Sequence, residues 1–247
     1  KLRFQKRHPR VGGDGLKAPL PARVLISRVF PNHRKTPMNA QQQLQSGIAA
    51  MGLAVAPERQ SLLLEYLALL EKWNAAFNLT ALRDRAKMVS HHLLDSLTLL
   101  PYLDGAATLI DVGSGGGMPG IPAAVCRPDL AVTLCDANTK KTAFLQQAAI
   151  ELGLDNVSVA AGRVEKLAGK QADIVSSRAF AELADFVSIT RSLPAAGGRW
   201  AAMKGVYPHA EIARLPQWAR VVSVDKLTVP GLDAERHMVL LQTAPNP

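Results

Sequence analysis

The sequence has few cysteines and no long hydrophobic run. Only two of its 247 residues are cysteine, Cys126 and Cys135, and both lie within apolar segments. Two such residues do not build a disulfide framework, so a reducing compartment is the default. No apolar stretch is long enough to cross a bilayer, and no charged-then-apolar leader with a cleavage site is present. These absences favour a cytoplasmic protein that is not inserted in a membrane.

Beyond its first 37 residues the chain also lacks a net charge. Residues 1–37 contain ten of the 29 lysines and arginines but only one of the 20 acidic residues, Asp14. The overall charge of +9 therefore belongs to this segment. Its prolines and its lack of apolar periodicity predict a disordered basic leader. Because the first methionine is Met38, a mis-assigned start is favoured over the alternative, a basic arm that binds nucleic acid.

Two patterns of secondary structure follow. Residues 38–104 predict a helical N-terminal part, with helices near residues 44–51, 57–77 and 84–100. Residues 105–247 alternate short apolar strands with helices, which predicts a doubly wound, mostly parallel sheet. The last two predicted strands, residues 221–229 and 237–242, flank Pro230-Gly231 and should pair antiparallel. This α/β architecture, with an antiparallel C-terminal strand, is typical of a class I, Rossmann-like methyltransferase body.

A glycine-rich stretch follows the first predicted strand. Asp111 ends that strand, five glycines fall between residues 113 and 120, and a helical pattern starts at Ile121. Glycines in such a turn let the backbone approach a nucleotide cofactor closely. The dinucleotide pattern G-x-G-x-x-G fits only in a shifted register, because Met118 occupies the third glycine position. The pattern Asp-x-Gly-x-Gly-x-Gly fits directly, and its acid favours the cationic cofactor S-adenosylmethionine over NAD.

The end of the second predicted strand carries another acid, Asp136. In a doubly wound sheet, an acid at this position can accept hydrogen bonds from both ribose hydroxyls of a cofactor. NAD and S-adenosylmethionine both contain a ribose. Asp136 therefore supports a nucleoside cofactor without choosing between the two.

Cationic and aromatic residues follow the later strands. Arg163 follows the third predicted strand, Arg178 and Phe180 the fourth, and Lys204 the fifth. The carboxyl ends of parallel strands face the ligand crevice, where arginine can bind a phosphate or a purine edge and phenylalanine can stack on a base. Each residue alone is more often a solvated surface side chain. Three cations on one rim of a body without net charge indicate an anionic substrate.

Two motifs used by base-modifying methyltransferases are absent. The Asn/Asp-Pro-Pro-Tyr motif of exocyclic-amine methylation is replaced by the segment Ile174-Val-Ser-Ser-Arg-Ala-Phe180, and neither cysteine follows a proline. Methyl transfer from a sulfonium can depend mostly on proximity and orientation when the acceptor carries no proton. The absences therefore indicate an acceptor that needs no general base.

The third predicted helix contains His92 and Asp95, three positions apart. This spacing places both side chains on one helix face. Metal binding would need a third ligand, and none stands at a suitable spacing. The pattern therefore predicts a hydrogen-bonded His92–Asp95 pair and no metal site.

A set of motifs in order between about residues 44 and 243 resembles the bacterial 16S rRNA (guanine-N7) methyltransferase family, also called glucose-inhibited division protein B. The motifs are Trp73-Asn74 with Asn78-Leu-Thr80, His92-x-x-Asp95-Ser96, the segment Asp111–Pro122, Thr133-Leu-Cys-Asp136, Gly162-Arg163-Val164-Glu165, Ser177-Arg178-Ala179-Phe180, Met203-Lys204-Gly205 and Glu235-Arg236-His237.

This resemblance implies methyl transfer from S-adenosylmethionine to guanine N7 in the decoding-region loop of 16S rRNA in the small ribosomal subunit. Guanine N7 has a lone pair and no proton, in agreement with the missing motifs. Together with the glycine pattern, the resemblance predicts a cofactor site made of Asp111, Gly113, Ser114, Gly115, Gly117, Met118, Asp136, Val164, Glu165 and Arg178. It implies substrate-side roles for Arg163, Lys204 and Arg236. Together with the strand-end residues above, this predicts Arg163, Arg178 and Lys204 as catalytic residues and Arg163, Phe180, Lys204 and Arg236 as RNA contacts.

The sequence departs from the family at two motif positions. Met118 stands where the family usually has leucine, and His91 stands where it usually has arginine or lysine, which weakens any RNA contact assigned to that position. Two other functions stay open: a class I methyltransferase of a protein or small molecule, and a non-catalytic RNA-binding or ribosome-assembly protein with the same fold. A monomer is expected.

Overall fold

The computed structural model describes residues 39–245 apart from residue 168, and only the backbone of residues 85 and 86. The predicted leader, residues 1–37, lies outside the described residues. Helix α1 (Ala40–Ala50) begins at Asn39, which forms a reciprocal capping box with Gln42. Helix α2 (Pro57–Phe77) has a proline in its first turn and ends at Asn78 in the left-handed conformation. The first two predicted helices are therefore confirmed.

The third predicted helix is not a regular α-helix. It consists of α3 (Arg85–Met88), a π-helical segment (Val89–Leu94) and α4 (Asp95–Leu97), and a 3-10 turn follows at Leu100–Leu103. A π-helical segment is wound more loosely than an α-helix and often occurs at functional sites. In the described part of the chain, no helix is both long and apolar enough to span a membrane.

Seven strands form one sheet in the order β3-β2-β1-β4-β5-β7-β6. The first five strands in this order, β3, β2, β1, β4 and β5, are parallel, and β7 is antiparallel to both β5 and β6. This confirms the predicted doubly wound α/β fold and its antiparallel C-terminal strand. The strands are β1 (Thr108–Val112), β2 (Ala131–Asp136), β3 (Val157–Ala161), β4 (Ala172–Arg178), β5 (Pro194–Lys204), β6 (Ala219–Leu227) and β7 (Arg236–Thr243).

Helices and one 3-10 segment connect the strands. They are α5 (Gly120–Cys126), α6 (Thr139–Glu151), a 3-10 turn (Val164–Leu167), α7 (Leu183–Ile189) and α8 (His209–Ile212). The strand and helix pattern did not predict the short helix α8. The connection between β6 and β7 covers residues 228–235, so it is longer than a tight turn at Pro230-Gly231, although the strands pair antiparallel as expected.

The sheet buries apolar side chains on both faces. On one face, Leu109 and Leu134 share a core with Leu44, Leu63 and other residues of the helices before β1. On the opposite face, residues of β1, β4 and β5 pack against α7 in a second cluster. The helical N-terminal part therefore packs directly on the sheet, and this packing brings α2 and the π-helical segment to the ends of the central strands.

Candidate active site

The loop between β1 and α5 depends on glycine for both conformation and space. Gly113 and Gly117 have φ values of 69° and 91°, which side chains disfavour. A Cβ atom on Gly113 would lie 2.5 Å from Cδ2 of Phe180, and one on Gly117 would lie 2.5 Å from Cδ1 of Ile121. The hydroxyl of Tyr66 in α2 donates a hydrogen bond to the carbonyl of Gly116. The glycine pattern therefore lets the loop pack tightly on its neighbours.

Asp111 supports this loop from beneath. Its fully buried carboxylate accepts hydrogen bonds from the Gly120 amide at 3.1 Å and from Oγ of Ser176 at 3.0 Å. Burial raises the pKa of Asp111 to about 6. Ser114 is also buried, and its Oγ donates to the Asp111 carbonyl and accepts from the Cys135 amide. Sequence reasoning expected both side chains in the cofactor site, whereas here they brace the loop.

A pocket of about 410 Å³ opens at the carboxyl ends of β1, β2, β3 and β4, and we call it the first pocket. Of the predicted cofactor residues, it is lined by Gly113, Asp136, Val164 and Glu165. The Asp136 carboxylate accepts hydrogen bonds from the amides of Gly115 at 2.9 Å and Asn138 at 2.8 Å. The other lining residues are Val112, Cys135, Ala137, Lys141, Gly162, Arg163, Ala179, Phe180 and Ile189.

Two residues that were predicted to contact RNA lie in the first pocket. The Phe180 ring lies against Gly113 and packs edge-on against Phe186, with 6.3 Å between centroids. Arg163 lines the same pocket. The predicted rim of three cations, Arg163 with Arg178 and Lys204, is therefore divided. Arg163 lies in the first pocket, whereas Arg178 and Lys204 lie on the other side of Ala179.

A second pocket, of about 480 Å³, lies between the π-helical segment and the ends of β4 and β5. Its lining residues are Thr80, Ala81, Leu82, His91, His92, Asp95, Arg178, Ala179, Met203, Lys204, Gly205 and Arg236. It contains three of the predicted catalytic or RNA-binding cations. We call it the second pocket.

One carboxylate organises the cations of the second pocket. Asp95, whose side chain is 2% exposed, lies 2.8 Å from Nη1 of Arg178 through one oxygen and 2.8 Å from Nε of Arg236 through the other. Arg178 also donates to the His91 carbonyl at 3.1 Å and contacts the Met118 sulfur at 3.1 Å. Two guanidiniums thus share one negative charge, which leaves positive charge available for an anionic ligand.

Lys204 is held separately. Its ammonium lies 2.6 Å from the Glu211 carboxylate and donates to the Ala181 carbonyl at 2.8 Å. Helix α8, which supplies Glu211, is the element that the sequence pattern missed. The ammonium is therefore fixed at the end of β5.

The predicted His92–Asp95 pair is wrong. Nε2 of His92 lies 3.2 Å from Oγ1 of Thr80, and the buried Nδ1 has no hydrogen-bond partner among the residues that the structure describes. Burial and the charge of Arg178 lower the pKa of His92 to about 4. The π-helical segment alters the angle between positions 92 and 95, and the two arginines occupy the Asp95 carboxylate. Within the described residues, no group of three His, Cys, Asp or Glu side chains could hold a metal ion.

The two pockets meet at Ala179, which lines both. Its φ of 54° is in the left-handed region, which is uncommon for a residue with a Cβ atom. Such strain is often found at functional sites.

Sequence reasoning missed Ala179 and the bridging role of Asp95. The position of Ala179 directly after β4 was a usable signal, whereas the ion pairs of Asp95 with Arg178 and Arg236, 83 and 141 positions away, have no local signal.

Comparison with known proteins identifies close relatives. A family described as rRNA small subunit methyltransferase G matches residues 59–239. The chain is 66% identical over 204 residues to ribosomal RNA small subunit methyltransferase G of Neisseria gonorrhoeae (strain NCCP11945), which covers 83% of this chain and 99% of that protein. It is 54% identical over 205 residues to the protein of the same name from Laribacter hongkongensis (strain HLHK9), with the same coverage of both chains.

Among solved structures, the chain is similar to the O-methyltransferase TomG from Streptomyces achromogenes, described as a complex with SAM. The TM-score is 0.53, and the match covers 83% of this chain and 99% of that chain. The sequences are 15% identical, so this similarity concerns the fold alone.

Proposed function

The chain belongs to the rRNA small subunit methyltransferase G family, and from this premise we propose that its two pockets divide one methyl transfer between them. The protein is an S-adenosylmethionine-dependent enzyme that methylates guanine N7 in 16S rRNA. In our proposal the first pocket holds the cofactor and the second presents the guanine. The observation that carries the proposal is the junction at Ala179. There a pocket lined by Asp136 and Glu165, together with Lys141 and Arg163, meets a pocket that contains Arg178, Lys204 and Arg236.

The first pocket fits a nucleoside cofactor that carries a positive charge. Asp136 offers a carboxylate at the end of β2, Glu165 adds a second acid, and Gly113 contributes backbone to the pocket wall. When bound, the cofactor supplies an electrophilic methyl group. Gly113, Asp136, Val164 and Glu165 would hold it, and the ionised form of Asp111 beneath the loop would favour a cationic ligand.

The second pocket fits a guanine nucleotide of RNA. Arginine commonly donates to O6 and N7 of guanine together, but here N7 must stay free as the acceptor. We therefore assign Arg178 to O6 or to a neighbouring phosphate, and Arg236 and Lys204 to the phosphate backbone. These contacts would hold the base so that N7 faces the first pocket.

The chain does not need a general base for this reaction. Guanine N7 attacks through a lone pair and loses no proton, so positioning of the acceptor dominates catalysis. His92 fits this account, because its lowered pKa keeps the ring neutral at neutral pH and its Nε2 contacts Thr80. The family membership leaves no support for the two alternatives, a protein or small-molecule methyltransferase and a non-catalytic assembly protein.

Three finer properties stay predictions. We expect a cytoplasmic enzyme, active as a monomer, that uses neither a metal nor a membrane. Phe180 and Arg163 line the first pocket. Their RNA contacts would require a nucleotide that reaches across Ala179.

The test is a mapping experiment with the full chain. The enzyme is incubated with methyl-labelled S-adenosylmethionine and small ribosomal subunits from cells that lack this methyltransferase. We expect one labelled guanine that becomes cleavable by aniline after borohydride reduction, as N7-methylguanine does. Subunits from methylating cells are the control and should take up no label. Label in protein, label on an exocyclic amine, or no label in rRNA would overturn the proposal.

A further inference from the structure

An exposed aromatic loop directly follows β5 and has no role in the mechanism described above. In the described part of the chain, seven large hydrophobic side chains are exposed. Phe180 and Ile189 line the first pocket, while Val206 and Tyr207 follow Gly205 of the second pocket. Val206 is 71% exposed and Tyr207 is 40% exposed. Four of the seven therefore lie at the edge of the sheet where the reaction takes place.

The ring of Tyr207 is held in a defined orientation. It stacks on the His209 ring with 4.1 Å between centroids and a tilt of 34°. It also packs edge-on against His237, with 5.6 Å between centroids and an angle of 79°. Nδ1 of the buried His237 lies 2.7 Å from the Gly205 carbonyl, so the base of the loop is fixed as well. We call Tyr207, His209 and His237 the aromatic platform.

We propose that the aromatic platform binds an unstacked nucleobase that neighbours the target guanine. The inference rests on the proposed function and deepens it, because it assigns a second base-binding site to the same enzyme. Sequence-specific RNA recognition commonly uses splayed-out bases that stack on aromatic side chains. A ring that is already oriented loses little conformational entropy when a base stacks on it.

The surroundings of the platform favour RNA over an apolar protein surface. Lys204 and Arg236 line the second pocket. Lys204 directly precedes the segment 205–209, which carries Tyr207 and His209, and Arg236 directly precedes His237. Phosphates that flank a stacked base would meet these cations. An apolar protein surface would offer no anionic group to these cations, which are held by Glu211 and Asp95.

The position of the platform also has an energetic advantage, because stacking there can offset the cost of unstacking the target guanine. A guanine that enters the second pocket must leave its stack, which costs a few kcal/mol and exposes the neighbouring base. Stacking that neighbour on Tyr207 would recover part of the cost. The platform would therefore act on RNA affinity and leave cofactor affinity unchanged.

The first test measures binding of a short fluorescein-labelled single-stranded RNA with one guanine by anisotropy. Tyr207→Phe keeps the ring and should bind within about twofold of wild type, whereas Tyr207→Ala should bind about tenfold more weakly. Tyr207→Leu is the matched control, because it keeps apolar bulk without a π-face, and it should be as weak as Tyr207→Ala. Wild-type affinity in Tyr207→Leu would overturn the proposal. Thermal unfolding checks that each variant is folded.

A second test removes the partner on the RNA side. An abasic nucleotide replaces each neighbour of the guanine in turn. One of these positions should weaken wild-type binding about tenfold but leave binding by Tyr207→Leu unchanged, because the stacking is already lost. Equal weakening of both proteins would overturn the proposal.

Turnover on small ribosomal subunits separates the possible failures. If wild type labels guanine N7 and Tyr207→Leu matches it in kcat/KM and in RNA affinity, only the platform proposal fails. If wild type places no label in rRNA, the proposed function fails, whatever the RNA affinity. If Tyr207→Leu loses activity on assembled subunits but binds the RNA normally, the platform contacts a ribosomal protein and the proposal is overturned.

Discussion

The two pockets of the active site are built in different ways. The first pocket is formed by strand ends and by a loop that backbone geometry and local hydrogen bonds hold, such as that from the Gly115 amide to Asp136. The second pocket is held by ion pairs between distant parts of the chain, centred on Asp95. The first follows from the sheet topology, whereas the second requires particular side chains from three separate segments.

This difference matches the division of labour that we propose. A cofactor shared by many enzymes can be bound by features of a common fold, because its ribose and backbone contacts are general. Recognition of one base in one RNA requires side chains specific to this family. Substitutions in the two pockets should therefore affect different binding constants, and the predictions below test that separation.

Loss of Arg178 should have the largest effect. Arg178→Ala removes the guanidinium that contacts Asp95, the His91 carbonyl and Met118. We expect kcat/KM for small subunits to fall at least about 100-fold, because the acceptor is no longer held in line. Cofactor affinity, measured by calorimetry, should change less than about threefold.

The control for this substitution removes the same charge elsewhere. Arg220 is exposed on β6, where it donates to Gln242, and Arg220→Ala should leave turnover near wild type. The family resemblance assigns Arg178 to the cofactor, whereas its position here is in the second pocket. If Arg178→Ala loses cofactor affinity as much as turnover, Arg178 contributes to cofactor binding. Cofactor and RNA binding would then not be divided between the two pockets.

Removal of the charge on Asp95 should have the next largest effect. Asp95→Asn keeps the shape of the side chain but leaves two mostly buried guanidiniums without their shared partner. We expect the free energy of unfolding to fall by about 3 kcal/mol. We also expect kcat/KM for RNA to fall about tenfold or more through misplaced arginines, with little change in cofactor affinity.

A surface ion pair provides the comparison for Asp95. Glu182 and Arg214 lie 2.7 Å apart, and both side chains are more than half exposed. Glu182→Gln should cost less than about 1 kcal/mol in unfolding experiments in urea. If Asp95→Asn is as mild as Glu182→Gln, the ion pairs do not organise the second pocket.

The same contrast explains what the sequence could predict. The glycine loop, Asp136 and the doubly wound sheet were predictable, because each depends on spacing within a short segment. The positions of Arg178 and Lys204 at strand ends followed from the strand pattern. The partner of Asp95 was predicted wrongly, because local spacing indicated His92, while the arginines that bind it come from β4 and β7 and a π-helical segment alters the spacing.

The stability of the protein should also depend on pH through the buried carboxylate of Asp111. Asp111 has no cation within hydrogen-bonding distance among its described contacts, and burial raises its pKa from 3.8 to about 6. The folded state therefore binds the proton more tightly than the unfolded chain does. As the pH rises from about 4 to about 6.5, wild type should lose stability relative to Asp111→Asn, by on the order of 3 kcal/mol in total.

Urea unfolding of both proteins at several pH values measures this difference. Asp129→Asn is a control of opposite sign, because the hydrogen bond from Arg127 lowers the pKa of the exposed Asp129. Its contribution is lost below about pH 4, so this control should show no decline between about pH 4 and 6.5. A flat difference for Asp111→Asn would mean that burial does not raise the pKa of Asp111.

Met118 is expected to give the smallest effect, although it connects the two pockets. It belongs to the glycine loop, it is buried, and its sulfur contacts Arg178 of the second pocket. Met118→Leu keeps the volume and removes a weak acceptor, while Arg178 keeps Asp95 and the His91 carbonyl. We expect turnover within about threefold of wild type and a change in unfolding free energy below about 1 kcal/mol.

The control for this contact is Met203→Leu, in the buried wall of the second pocket. Similar small effects in both variants would mean that the loop does not position Arg178, and the two pockets would then be independent sites that meet only at Ala179. A tenfold loss of turnover in Met118→Leu, but not in Met203→Leu, would contradict this prediction. The conformation of the glycine loop would then set the position of Arg178, and cofactor binding at the loop would be coupled to recognition of the guanine through one sulfur–guanidinium contact.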